Sequence, residues 1–165
     1  MTEKLLSALQ GLPPDLVVAI LSALPVSELR GGIPAGVAMG LPLWRVWIVA
    51  VIANIVSVIP VLLGFEWAAE VFAEKPLLGG LVSWLIKRAR SKEEAVRRYG
   101  VWALTLFVAV PLPVTGAWTG ALVASVFGMR FSRALACIAV GVLIASAIVS
   151  ALTMAGVLVI HAAAG

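Results

Sequence analysis

Charged positions divide this chain into long apolar blocks. Residues 16–27 carry no charge, and neither do 31–44, 46–65, 99–129 or 134–160. The first two blocks are the most informative. At a helical rise of 1.5 Å per residue, a dozen residues reach about 18 Å, against a hydrocarbon layer of about 30 Å. Each can therefore enter a bilayer but cannot leave by the far face. Between them stand Glu28, Leu29, Arg30, Gly31, Gly32, Ile33 and Pro34. The pattern predicts a re-entrant helical hairpin with an irregular polar tip at 28–34. Such a tip survives inside a membrane only if it is buried in protein or lines a watery cavity.

The next block, Val46 to Phe65, is long enough to span. Leu41-Pro42-Leu43-Trp44-Arg45 before it reads as an interfacial turn, with Trp44 and Trp47 at headgroup level and Arg45 snorkelling. Asn54 lies near the middle of the span, either hydrogen-bonded to the hairpin tip or back-bonded to its own helix. Tyr99 to Met129 is too long for one comfortable span, and Pro111-Leu112-Pro113 divides it. Val101 to Val110 is again too short to cross. A helix restarts over Val114 to Gly120, where Gly116 and Gly120 permit close packing. This predicts a second hairpin, with Arg130 and Arg133 marking its exit at the membrane edge. Ala134 to Ile160 is the second full span, with Gly141, Ser146, Ser150 and Thr153 available for helix contacts.

Composition fixes the class. Of 165 residues 62% are hydrophobic and 12% charged, with mean hydropathy +1.13. No soluble domain of this size hides so much apolar surface, so the reading is a single all-α polytopic domain integral to the cell membrane. Its parts are 1–65, a connector at 66–98, and 99–165. Thr2 to Leu12 is expected as a short amphipathic surface helix and not as a cleaved signal peptide. The connector has helical apolar spacing and ends in a basic cluster that includes Lys87, Arg88, Arg90, Arg97 and Arg98. By the positive-inside rule loop 87–98 faces the cytoplasm, where it meets anionic lipid headgroups. Nucleic acid is a poor partner, because no aromatic residues interleave the charges. The lone Cys137 excludes disulfides, and the lone His161 reads as an interfacial residue. No metal cluster, Ser/His/Asp arrangement or phosphate loop is present in the sequence, so neither an enzyme nor a cofactor is expected.

The two halves share a plan: broken hairpin, arginine-marked turn, spanning helix. Gly32 and Gly36 align with Gly116 and Gly120, and Arg45 with Arg133, allowing about one extra helical turn in the second hairpin. Because one span separates them, the halves are expected to be inverted, as in many secondary transporters. Ser27-Glu28-Leu29-Arg30-Gly31-Gly32-Ile33-Pro34 and Val110-Pro111-Leu112-Pro113-Val114-Thr115-Gly116-Ala117-Trp118-Thr119-Gly120 resemble the putative small multidrug export protein family, within the DedA-like (VTT, or SNARE-associated) superfamily. The resemblance extends from about Leu24 to Thr153. It implies two re-entrant hairpins related by inverted symmetry, tips meeting near mid-membrane, and transport of lipids such as polyprenyl phosphates or proton-dependent drug tolerance. DedA proteins proper carry arginines in the second hairpin, whereas Pro111 to Gly120 has no charge here.

Glu28 and Arg30 are the leading site candidates. A charge at mid-membrane costs about 2.5–3.5 kcal/mol on translocon scales, so two there require a reason. Arg30 and the amides around Gly31 and Gly32 would attract a phosphate, while Glu28 would take up and release a proton. The alternative is an ion pair that only fixes the tip. Asn54, Thr115, Gly116 and Trp118 complete the candidate lining, with plain packing as the other role for Trp118. The expectation is a transporter or flippase for an anionic lipid, possessing protons as a candidate coupling ion. The alternatives are a proton-coupled exporter of lipophilic cations and a non-transporting scaffold. So thin a bundle would be sealed by a homodimer.

Overall fold

A computed structural model of the chain describes residues 11–73, 93–112 and 115–164, with side chains over 11–64, 101–112 and 115–163. The expected surface helix at 2–12 lies almost wholly outside these residues, as do Lys87, Arg88 and Arg90. All regular structure among the described residues is helical: α1 (Pro14–Ala23), α2 (Glu28–Ala38), α3 (Leu43–Ala73), α4 (Glu93–Ala109), α5 (Ala117–Val126) and α6 (Phe131–Ala164). Two stretches are long and apolar enough to cross a membrane, Leu43–Gly64 in α3 and Phe131–Ala163 in α6. The ten-residue α1 and α5 reach only about 15 Å each. The chain forms two compact units, one of Met1–Val56 with Ala145–Gly165, the other of Ser57–Ile144.

In the first unit α1 and α2 form a hairpin. Pro14 opens α1 and Asp15 sits in its first turn, where proline's missing donor costs nothing and an acid suits the helix dipole. The helix stops at Ala23 because Leu24 precedes Pro25, which disfavours the helical region; Leu24 takes φ −74 and ψ 137. The unwound tip is therefore Leu24 to Ser27, not the expected 28–34. The Glu28 amide donates to the Leu24 carbonyl at 3.0 Å, and helix resumes at once. Gly31, Gly32 and Pro34 lie inside α2, where Pro34 has no N–H to offer the Arg30 carbonyl.

Two contacts fix how α1 lies against α3. At its start the Asp15 carboxylate accepts two bonds from the Arg45 guanidinium, at 2.7 and 2.8 Å. At its end the Ser22 carbonyl accepts from Asn54 Nδ2 at 2.8 Å. The two helices thus run in the same direction. The tip stands level with Asn54, about 14 Å along α3 from Arg45. The return arm α2 runs opposite to both. A Cβ added at Gly36 would lie 2.7 Å from a methyl of Val18 and of Val46, and one at Gly32 would overlap Ser22 Oγ. Gly32, Gly36 and Glu28 of α2 and Val46, Ala50 and Asn54 of α3 are all buried. A left-handed Gly40 (φ +80) ends the arm, with the Leu41 amide bonded to the Gly36 carbonyl at 3.1 Å, the six-residue closure of a Schellman turn.

The second unit is also held by close glycine contacts. Here α4 runs beside α6: the Thr105 hydroxyl sits 3.0 Å from the Val101 carbonyl and 3.3 Å from that of Cys137. An added Cβ at Gly141 would lie 2.6 Å from Val108 Cβ. The arm starts at Glu93, because the amphipathic helix runs into the apolar block without a break. The return arm α5 packs through Gly120, whose added Cβ would meet Val108 at 2.5 Å and Ile138 at 3.8 Å. It ends at left-handed Gly128 (φ +63), with Met129 bonded to the Ala124 carbonyl at 2.9 Å. Both return arms thus end at a left-handed glycine, Gly40 and Gly128.

Candidate functional site

Buried polar side chains are the scarce resource in so apolar a chain. Among the described residues six are buried: Ser22, Glu28, Asn54, Ser146 and Ser150 in the first unit, and Thr105 in the second. Glu28 is the charged member, 6% exposed, on the first residue of α2. Its φ of +47 places a non-glycine residue in the left-handed region, which costs about 1–2 kcal/mol. Regular helical dihedrals would point residues two apart away from each other. The reversed φ accompanies the observed ion pair, with Arg30 Nη2 3.6 Å from Glu28 Oε2. The Arg30 side chain is 28% exposed against 8% for Glu28, so the pair has a buried and an accessible end.

Around this pair the backbone of the broken hairpin is closed by named donors. The Ile20 carbonyl receives the Leu24 amide, Leu21 the Ser27 hydroxyl, Ser22 the Asn54 amide group, and Ser27 the Gly31 amide. These groups would otherwise be orphaned at the helix ends, where lipid offers no partner. Asn54 is thus the clamp between the spanning helix and the tip, and does reach the hairpin. The Gly31 amide is already engaged, and both glycines serve close approach: a Cβ at Gly31 would lie 2.6 Å from Ser27 Cβ. Asn54→Leu strands the Ser22 carbonyl. It is expected to lower stability by about 1–3 kcal/mol in detergent unfolding; an unchanged unfolding midpoint would show that the clamp carries no weight.

The remaining candidates lie elsewhere. Thr115, Gly116 and Trp118 belong to the second unit. The Thr115 hydroxyl sits 2.7 Å from the Val110 carbonyl and accepts the Leu112 amide at 3.1 Å, so it organises the turn after Pro111. Gly116 is buried at the start of α5, and Trp118 is half-buried on its first turn. Arg45 is committed to Asp15, while Arg130 and Arg133 are exposed where α6 begins. Sequence reasoning did not single out Ser22, whose carbonyl takes the Asn54 bond. The available signal was Pro25, which ends α1 at Ala23 and places Ser22 in its last turn.

A family model described as "Putative small multi-drug export protein" matches residues 28–148, from Glu28 well into α6. No curated protein and no solved structure matches the chain. The match covers most of the sequence, including both sets of packing glycines, the whole of the first helix able to cross a membrane and the first part of the second. This all-helical membrane protein therefore belongs to the putative small multi-drug export protein family.

Proposed function

We propose that the protein is a DedA-like transporter or flippase that moves an amphiphile past the tip of its first hairpin, Arg30 taking an anionic headgroup and Glu28 exchanging a coupling cation. The observation that carries this reading is the buried, left-handed Glu28 ion-paired to a partly accessible Arg30. A tip that only had to turn the chain would be cheaper with glycine or asparagine at that φ and no charge at depth. Strained backbone of this kind gathers at working sites.

A re-entrant path fits the dimensions. A ten-residue α1 cannot cross, and its end stands level with Asn54, inside the 22-residue apolar stretch of α3. The matching turns and glycines favour two repeats, and the single crossing by α3 between them makes the repeats inverted, with loop 87–98 cytoplasmic. Membrane lipids surround this bundle and a homodimer seals it.

The test is movement of a fluorescent lipid phosphate across proteoliposomes, with and without a proton gradient. Gradient-independent or gradient-driven headgroup movement supports the proposal; none in either condition overturns it. Export of lipophilic cations is the second reading, favoured by the family's description and by Glu28 being the more buried partner. Gradient-driven flux of a cationic dye without headgroup movement selects it, and no flux of either kind leaves only a scaffold.

A further inference from the structure

The turn after α2 and the turn after α5 are closed by the same backbone bonds. In the first, the Gly40 amide donates to the Val37 carbonyl, Leu41 to Gly36, and Arg45 and Val46 both to Pro42, at 3.0–3.2 Å. In the second, Gly128 donates to Ser125, Met129 to Ala124, and Arg133 and Ala134 both to Arg130, at 2.9–3.0 Å. Each glycine is left-handed. Each turn then sets an arginine, Arg45 or Arg133, on the third residue of a helix able to cross a membrane.

What these arginines meet is different. Arg45 is held by Asp15, its Nε and Nη2 donating to the two carboxylate oxygens. In the second unit no described side chain is acidic, and Arg130 and Arg133 are its only described charged groups. Both are exposed. Their place does not serve the helix. The Arg130 carbonyl accepts the first bonds of α6, so Arg130 is the N-cap and Arg133 the third residue. A capping box brings those two side chains to the same end amides and uses a hydroxyl with Glu or Gln. Two cations there oppose the helix dipole and each other. Orientation by positive charge is served equally well by lysine.

We propose that Arg130 and Arg133 form a seat at the membrane edge for an anionic lipid whose headgroup is a phosphate monoester. Charged side chains flanking the start of an apolar span lie at headgroup level. A guanidinium fork takes a phosphate with two parallel bonds, as Arg45 takes the Asp15 carboxylate. A phosphate monoester carries about −1.5 to −2 near pH 7, so it balances both arginines, whereas a diester balances one. Phe131, exposed and between them in sequence, suits a ligand with a tail. The seat lies in the second unit and makes no use of Arg30, so it does not rest on the transport reading.

The experiment is equilibrium binding to the full chain in neutral detergent, alongside melting. The probes are dioctanoyl phosphatidic acid, dioctanoyl phosphatidylglycerol and inorganic phosphate. Phosphatidic acid is expected to bind saturably and to raise the melting temperature by several degrees. Phosphatidylglycerol should bind about tenfold more weakly, and inorganic phosphate more weakly still. Arg130→Gln and Arg133→Gln should each weaken phosphatidic acid binding by about tenfold or more. Arg133→Lys, which keeps the charge but not the fork, should lose most of the same affinity. Without lipid, both glutamine variants should melt no lower than wild type, since a cation has left the positive end of the helix dipole. Glutamine variants that melt well below wild type without lipid would mean that an acid of the chain already fills the place, and would overturn the seat. Arg133→Lys binding as tightly as wild type, or inorganic phosphate competing as well as phosphatidic acid, would overturn it too. Binding lost in Arg30→Ala but kept in both glutamine variants would assign the headgroup to the hairpin tip instead. Binding lost in the glutamine variants but kept in Arg30→Ala upholds the seat, whatever the flux assay returns.

Discussion

Arg30→Ala is expected to reduce lipid-phosphate movement in proteoliposomes by about 10- to 100-fold, whereas Glu28→Gln retains movement and alters its dependence on pH and salt. The size follows from the bond removed. A hydrogen bond to a charged group contributes about 1.5–3 kcal/mol, and each 1.4 kcal/mol is a factor of ten. Arg30 has the accessible end of the ion pair and can swing to a ligand, while Glu28 is held at the buried end. Export of a lipophilic cation reverses the ranking: Glu28→Gln would stop it and Arg30→Ala would be tolerated. Rates for the two variants with both substrates distinguish the readings. Equal, small effects of both on every substrate would make the pair a tip fastener and nothing more.

Gly32→Val should unseat the first hairpin. Its Cβ would overlap Ser22 Oγ and lie 3.1 Å from the Val18 carbonyl oxygen, so a backbone atom as well as a side chain stands in the way. Overpacking a close helix crossing costs about 1–3 kcal/mol or more. Gly120→Val, the matching change in the second unit, meets side-chain carbons of Val108, Leu104 and Ile138, which can shift, and should cost less. Gly64, with nothing within 4 Å, supplies the control, since valine there meets open space. Melting in detergent should rank Gly64→Val above Gly120→Val and Gly120→Val above Gly32→Val. Melting of Gly32→Val together with the control would mean that α2 does not seat against α1 as described.

Much of this architecture is legible from the spacing of charges. The two long helices, the short-armed first hairpin and the reach of Asn54 toward it all follow from block lengths and a lone amide. The exact tip does not. Gly31, Gly32 and Pro34 each disfavour helix, by about 1 kcal/mol for glycine and 3 for proline, so the run reads as irregular. Tertiary packing overrides that preference, because only glycine lets α2 approach Ser22 and Val18, and Pro25 had already broken the chain one turn earlier. Cutting the sequence at charges also hid the start of α4, whose first turns carry Glu93, Glu94, Arg97 and Arg98.

The most direct test of the re-entrant site is the side from which the tip can be labelled. In a Cys137→Ser background, single cysteines at Val26, Leu41 and Gly64 would be treated with an impermeant maleimide from each face of sealed vesicles. Val26 is the exposed apex of the first tip, Leu41 follows the hairpin, and Gly64 ends the apolar stretch of α3. The re-entrant reading predicts that Leu41→Cys and Gly64→Cys react from opposite faces and that Val26→Cys does not react from the Gly64 face. Reaction of Val26→Cys from that face as fast as Gly64→Cys would mean that α1 and α2 cross the membrane outright, and would contradict it.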